Sequence, residues 1–263
     1  MTQTETTPER TRAKITVRTL RQDPWWRQPA INFTVLTVLV IYLAVASLVN
    51  RNYFWNPYIS PLYSPCLVTT CTSGAGEQWI PWLSWLAPAV LIIWIPMGFR
   101  LSCYYYRKAY YRAFWRSPAA CAVREPHARY TGETRFPLIL QNLHRYFFWI
   151  ALILNIILTW DAVIGFRNHA GTWGHAGLGT LVLVINACLL WLYSLSCHAC
   201  RHALGGRLRN YSKHPARYWV WTQVSKLNTR HMQIAWVSLV WVAFTDLYIR
   251  LVASGAITDL RFF

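Results

Sequence analysis

Acidic residues are scarce in this chain, with 9 Asp plus Glu against 26 Lys plus Arg in 263 residues. Charged residues of both signs make up only 13%, about half the usual share, while apolar residues reach 55%. High hydrophobicity excludes intrinsic disorder, and so little charge argues against an ordinary soluble enzyme. No phosphate-binding loop, dinucleotide fingerprint, H-E-x-x-H or nucleophile elbow occurs, which removes the usual sequence marks of nucleotide, zinc-hydrolase and serine-hydrolase chemistry. Nor is there an internal repeat of the kind inverted-repeat transporters carry. The net charge of +17 would suit nucleic acid if it sat on one polar domain. It alternates instead with long uncharged blocks, so no nucleic-acid partner is expected.

What is present is a set of five apolar blocks at 31–50, 80–99, 146–166, 176–200 and 232–249. Each approaches the roughly 20 residues needed to cross about 30 Å of hydrocarbon. The expected fold is therefore an all-α membrane protein of five transmembrane helices. A basic leader occupies 1–30, and the membrane domain 31–263 carries two long loops, 100–145 and 201–231. The first apolar run is too long and too far from the start for a signal peptide. Lys and Arg number six in the leader, nine in 100–145 and seven in 201–231, against Arg51, Arg167, Arg250 and Arg261 elsewhere. The positive-inside rule then places the N-terminus in the cytoplasm and the C-terminus outside, as a multi-pass protein of the plasma membrane.

Cysteine and histidine divide along the same line. Cys66 and Cys71 fall in the outer loop, where the oxidising side favours a disulfide. Cys188 stands alone in mid-span, where a thiol acts as a small buried apolar group. The other thiols, Cys103, Cys121, Cys197 and Cys200, gather at the cytoplasmic face. His127, His144, His198, His202, His214 and His231 lie on that side too, and only His169 and His175 lie outside. No histidine occupies the middle of any span.

The densest motif is S-L-S-C-H-A-C-R-H, Ser194 to His202. On one helix Cys197 and Cys200 would be roughly 60° apart and His198 and His202 roughly 40° apart, with the two pairs aimed differently. Other segments are needed to complete a site, and Cys103, Cys121, His144 and His231 supply donors at the same depth. Two thiolates with two imidazoles suit structural zinc or a Rieske-type [2Fe–2S] cluster. A b-type haem on two of His144, His202 and His231 is a third possibility. Intramembrane polar residues are functional suspects, Asp246 first among them, with Asp161, Asn155 and Asn186. Arg100, Tyr104 and Arg107 belong to a run of phenols and guanidinia that suits docking of an acidic partner or a quinone carbonyl. This run is expected to continue the second helix into the cytoplasm.

From the second span onward the chain resembles the membrane-anchor subunit of actinobacterial succinate dehydrogenase, a five-helix complex II anchor. The resemblance rests on LSCYYYRKAYYRAFWRSPAACAVREP, RFPLILQNLHRYFFW, CHACRHALGG, LNTRHMQIAW and the ending ASGAITDLRFF. It implies a flavoprotein subunit and an iron–sulfur subunit docked on the cytoplasmic face, with electrons passing from succinate to a membrane quinone. Five-helix anchors of the two-haem type use four span histidines, and the outer pair is missing here. The resemblance together with the donor set therefore favours one inner centre, a Rieske-type [2Fe–2S] cluster ahead of a single haem b. Its ligands are expected among Cys103, Cys121, His144, Cys197, His198, Cys200, His202 and His231, and the quinone contacts among Arg100, Tyr104, Arg107 and Asp246. A zinc-stapled scaffold or a transporter is the competing class.

Overall fold

Long runs of Leu, Ile, Val and Trp satisfy their backbone polar groups internally only as helices, and helices dominate the computed structural model. It describes residues 21–66, 87–123, 126, 135–206 and 208–263. Most of the leader, Cys71 and His127 lie outside the described residues. The elements in chain order are α1 (Arg27–Leu48), β1 (Phe54–Trp55), β2 (Tyr58–Ile59), α2 (Pro88–Ser102), α3 (Tyr104–Phe114), α4 (Arg135–Ile164), α5 (Leu178–Leu195), α6 (His198–Gly205), α7 (Pro215–Asn228) and α8 (His231–Ala253).

Four helical stretches are long and apolar enough to cross a membrane: α1, Gln141–Ile164 of α4, α5 and α8. A fifth is reached if α2 and α3, bent by 80° at their junction, count as one broken span. Large apolar side chains remain exposed along these helices, among them Val38 and Ile41 on α1, Ile153 and Ile156 on α4, and Val237 and Val240 on α8. Outward apolar faces of this length are what hydrocarbon solvates, so the chain is a multi-pass membrane protein.

Two blocks depart from the expected single helices. The tyrosine-rich run does not prolong the second span, because Cys103 is extended (φ −66°, ψ 133°) between α2 and α3. The fourth block breaks in the same manner at Cys197 (φ −69°, ψ 147°), between α5 and α6. The residues that follow each break are amphipathic, with basic and aromatic side chains that prefer an interface to hydrocarbon. The helix order thus repeats in parallel. In α2–α3–α4 and again in α5–α6–α7–α8, a span ends at a break and the chain returns as a span carrying a histidine near its start.

At the opposite end three carboxylates hold the segment that follows α1. β1 and β2 form a small antiparallel hairpin, Phe54 opposite Ile59 and Trp55 opposite Tyr58. Asp246 of α8 is fully buried and accepts from Tyr42 (2.6 Å), from Ser60, and from Arg250 Nε (2.8 Å). Asp161 accepts from Ser64, and Asp259 from Tyr58 (3.0 Å), Tyr248 (2.6 Å) and the Gly179 amide (2.9 Å). Cys66 is disulfide-bonded, whereas Cys103, Cys121, Cys188, Cys197 and Cys200 are free.

Close approach of α2 to α4 depends on Gly98, where any Cβ would come within 2.3 Å of the Phe147 ring. Gly98→Ala is expected to lower the thermal stability of the detergent-purified protein by about 1–3 kcal/mol, and Phe147→Leu in the same chain to recover part of it. An unchanged melting temperature in the single variant would refute tight packing at this crossing. Asp246→Ala strands the half-buried Arg250, which keeps the carbonyls of Ala46 and Arg51 as partners. The expected loss is about 3 kcal/mol, the low end for a broken buried pair, read by the same melting assay. A loss below the error of that assay would mean the network is not a structural staple.

Candidate functional site

The two helix breaks carry cysteines for a physical reason. Ending a helix inside the bundle frees backbone groups, and a small polar side chain at the break can satisfy some of them. Cys197 caps α6, its sulfur accepting from the Ala199 amide at 3.3 Å. At the other break the amides of Tyr105 and Tyr106 approach the Cys103 sulfur in the same way. Helix N-termini of this kind favour negative charge on sulfur.

Two histidines close on these sulfurs from the starts of the spans that return. His144 on α4 brings Nε2 to 3.0 Å from Cys197 Sγ, and His231 on α8 brings Nε2 to 3.6 Å from Cys103 Sγ. The pairs are crossed, since each sulfur meets the histidine that follows the other break. All four residues are buried, and all four line one cavity of about 570 Å³. Its wall also includes Tyr104, Tyr105, Gln141, Asn142, Arg145, His198 and His202. Among the described residues no three His, Cys, Asp or Glu side chains are placed around a single metal position. The Tyr193 hydroxyl is buried beside these groups and reaches toward the Cys103 sulfur.

Of the eight metal-ligand candidates, the structure brings Cys103, His144, Cys197 and His231 together. His198 and His202 line the same cavity as exposed residues, whereas Cys200, buried in the same apolar cluster as Cys103 and Cys197, does not line it. Burial lowers the pKa of His198, and the neighbouring Arg201 lowers it further. Cys121 is exposed in the loop after α3, its carbonyl accepting from Arg21 at 2.8 Å.

The quinone candidates scatter more widely. Tyr104 lines the cavity. Arg100 lies behind it, with its guanidinium 4.7 Å above the Tyr193 ring and bonded to Tyr106, the Ala235 carbonyl and Ser238. Arg107 is buried in a separate cleft of about 130 Å³ with Tyr104, Lys108 and Arg112. Asp246 belongs to the carboxylate network at the other end of the bundle and has no contact with the cavity.

Sequence reasoning missed Ser102 and Ser196, which hold the histidines, and Phe99 and Tyr193, which stack on them at 4.7 and 5.2 Å. The signal was the twice-written Leu-Ser-Cys at 101–103 and 195–197, each with an aromatic residue four places before the cysteine.

Comparison with known proteins identifies the family. Residues 27–255 match the family described as actinobacterial succinate dehydrogenase subunit SdhC. A solved structure titled "Mycobacterium smegmatis Sdh1 complex in the apo form" contains a chain 51% identical to this one, with a TM-score of 0.85 over 97% of this chain and 98% of that chain. No curated protein matches at a significant level. The chain therefore belongs to the actinobacterial SdhC family and is an anchor subunit of succinate dehydrogenase, not catalytic alone.

Proposed function

We propose that this anchor relays electrons to quinone through a Rieske-type [2Fe–2S] cluster held by Cys103, Cys197, His144 and His231. The observation that carries the reading is the pair of crossed Cys–His contacts facing one cavity. Two thiols and two imidazoles are the donor set of such a cluster, which needs two metal positions rather than one. The Tyr193 hydroxyl and the amides at the start of α3 and α6, which act on the two cysteine sulfurs, fit it further, since hydrogen bonds directed at sulfur tune iron–sulfur potentials. When bound, the cluster supplies one-electron transfer between the partner subunits and quinone.

The chain's own residues do the rest. Burial of the four ligands excludes water from them, while the cavity in front stays open. Its aromatic and polar wall suits a quinone head group, with Tyr104 and Tyr105 against the ring and Gln141, Arg145 and His198 as donors to its carbonyl oxygens. Protons for the quinol enter from the exposed side, past His198 and His202. Asp246 takes no part, because three donors already engage its carboxylate at the far end.

The orientation follows from charge. Twenty-two of the 26 Lys and Arg fall in the sequence segments 1–30, 100–145 and 201–231, and the last two contribute Cys103, His144 and His231 to the cavity, so we read the cavity side as cytoplasmic and the broken α2–α3 pair as the fifth span. The flavoprotein and iron–sulfur subunits dock on this basic face, in the plasma membrane, with the C-terminus outside.

Low-temperature EPR of the dithionite-reduced, purified complex tests the reading beside iron, acid-labile sulfide and pyridine haemochrome assays. The expected result is a low-average-g signal of a nitrogen-ligated cluster, with no haem assignable to this chain. Cys103→Ser, Cys197→Ser, His144→Ala and His231→Ala should each abolish the signal. Cys121→Ser, Cys200→Ser and His202→Ala should keep it. Zinc without iron, or haem without the signal, would overturn the proposal.

A further inference from the structure

The four ligand candidates are placed by an internal two-fold pattern that reaches beyond the sulfur and imidazole atoms. In the first half Ser102 precedes Cys103, and its Oγ lies 2.9 Å from His144 Nδ1. In the second half Ser196 precedes Cys197, and its Oγ lies 2.7 Å from His231 Nδ1. Four residues before each cysteine an aromatic ring stacks nearly parallel on that same histidine. Phe99 lies on His144 at an interplanar angle of 11°, and Tyr193 on His231 at 6°. The two rings meet each other at 5.2 Å, where the halves join. Each half therefore grips its own histidine by one hydroxyl and one ring, and presents its cysteine to the histidine of the other half.

The hydroxyls decide more than position, because a serine has one proton to donate. Ser102 Oγ donates to the Gly98 carbonyl at 2.6 Å, and Ser196 Oγ donates to the Tyr193 carbonyl at 3.1 Å. With that proton committed to the preceding helical turn, each oxygen faces its imidazole as an acceptor only. Nδ1 must then carry the hydrogen, and the lone pair of the neutral ring is left on Nε2. Nε2 is the atom that both histidines turn toward cysteine sulfur.

We infer that Ser102 and Ser196 are equivalent positioning residues that fix the tautomer and ring angle of His144 and His231, so that both histidines ligate through Nε2. This rests on the proposed assignment of those histidines as cluster ligands. It adds which nitrogen binds, and it identifies a Ser–Cys dipeptide at each helix break as the unit that prepares the site. A hydrogen-bond partner on the far nitrogen of a ligating histidine commonly changes metal affinity by about 10–100-fold.

The test compares Ser102→Ala, Ser196→Ala and, at each position, the pair Thr and Val. Thr and Val share one shape and differ by the hydroxyl, so their contrast reports the hydrogen bond even where Ala assembles poorly. Readouts on the purified complex are iron and acid-labile sulfide per protein, the EPR line shape, and the midpoint potential. Ala and Val variants at both positions are expected to lose cluster or to show altered g values and a shifted potential, with Thr close to the parent. Ala and Val variants indistinguishable from the parent would overturn the inference, as would Thr behaving like Val. A parent complex with no such signal would instead sink the cluster assignment, so the two failures are told apart.

Discussion

A transmembrane helix that stops inside the bundle must find partners for the backbone groups it frees, and no water is at hand to supply them. The whole cavity end of this protein depends on solving that problem twice, at Cys103 and at Cys197. Serine at each break bonds back to the turn before it, and cysteine sulfur accepts from the turn after it at Cys197. The cost of interrupting the ladder is thereby offset by groups that also face outward to histidine. Helix geometry and donor geometry are one construction here. A straight helix through either position would carry the cysteine away from its histidine and point α3 or α6 out of the interface.

The opposite end solves a different problem with different chemistry. Three carboxylates, Asp161, Asp246 and Asp259, accept from tyrosines and serines of the segment that runs from Tyr42 to Ser64. In a chain with so few acids this concentration is informative, and these contacts fix a cap on the bundle. Arg250 shows the same economy, since one guanidinium serves Asp246 and the carbonyls that end α1. The spans are thus pinned at both ends by polar contacts while their flanks remain free for lipid. Rigidity at the cap helps hold α5 and α8 in register, and these two helices place Cys197 and His231.

The apolar blocks made the membrane class and the long apolar helices readable from sequence, because hydropathy is a sum over many residues. The gathering of Cys103, His144, Cys197 and His231 was readable only as a common depth. The breaks were not, since Leu-Ser-Cys looks like ordinary helix filler, with no proline or glycine among its three residues at either break. Gly205 and Gly206 end α6, whereas the break that places Cys197 lies nine residues earlier, at Ser196. Cys200 stays buried in the same apolar cluster as Cys197, but with α6 starting at His198 it does not line the cavity. Asp246 drew attention because a buried acid in a span is costly, and the residue that offsets the cost, Arg250, lies one turn away on the same helix.

The two halves are alike in how they hold histidine and unlike in what surrounds it, and this difference sets the direction of access. Beside His144 the start of α4 contributes Gln141, Asn142 and Arg145 to the cavity wall. The corresponding start of α8 contributes nothing beyond His231. There Asn228 bonds across to the Ser196 carbonyl at 2.7 Å and seals the break, and Arg100 fills the space behind by reaching Ala235 and Ser238. His231 is accordingly 1% exposed and His144 9%. An approximate two-fold scaffold has been closed on one side and left open on the other. A molecule entering the cavity therefore meets the α4 half first, whereas the α8 half, with its buried cation and sealed backbone, serves as the fixed wall against which the site is built.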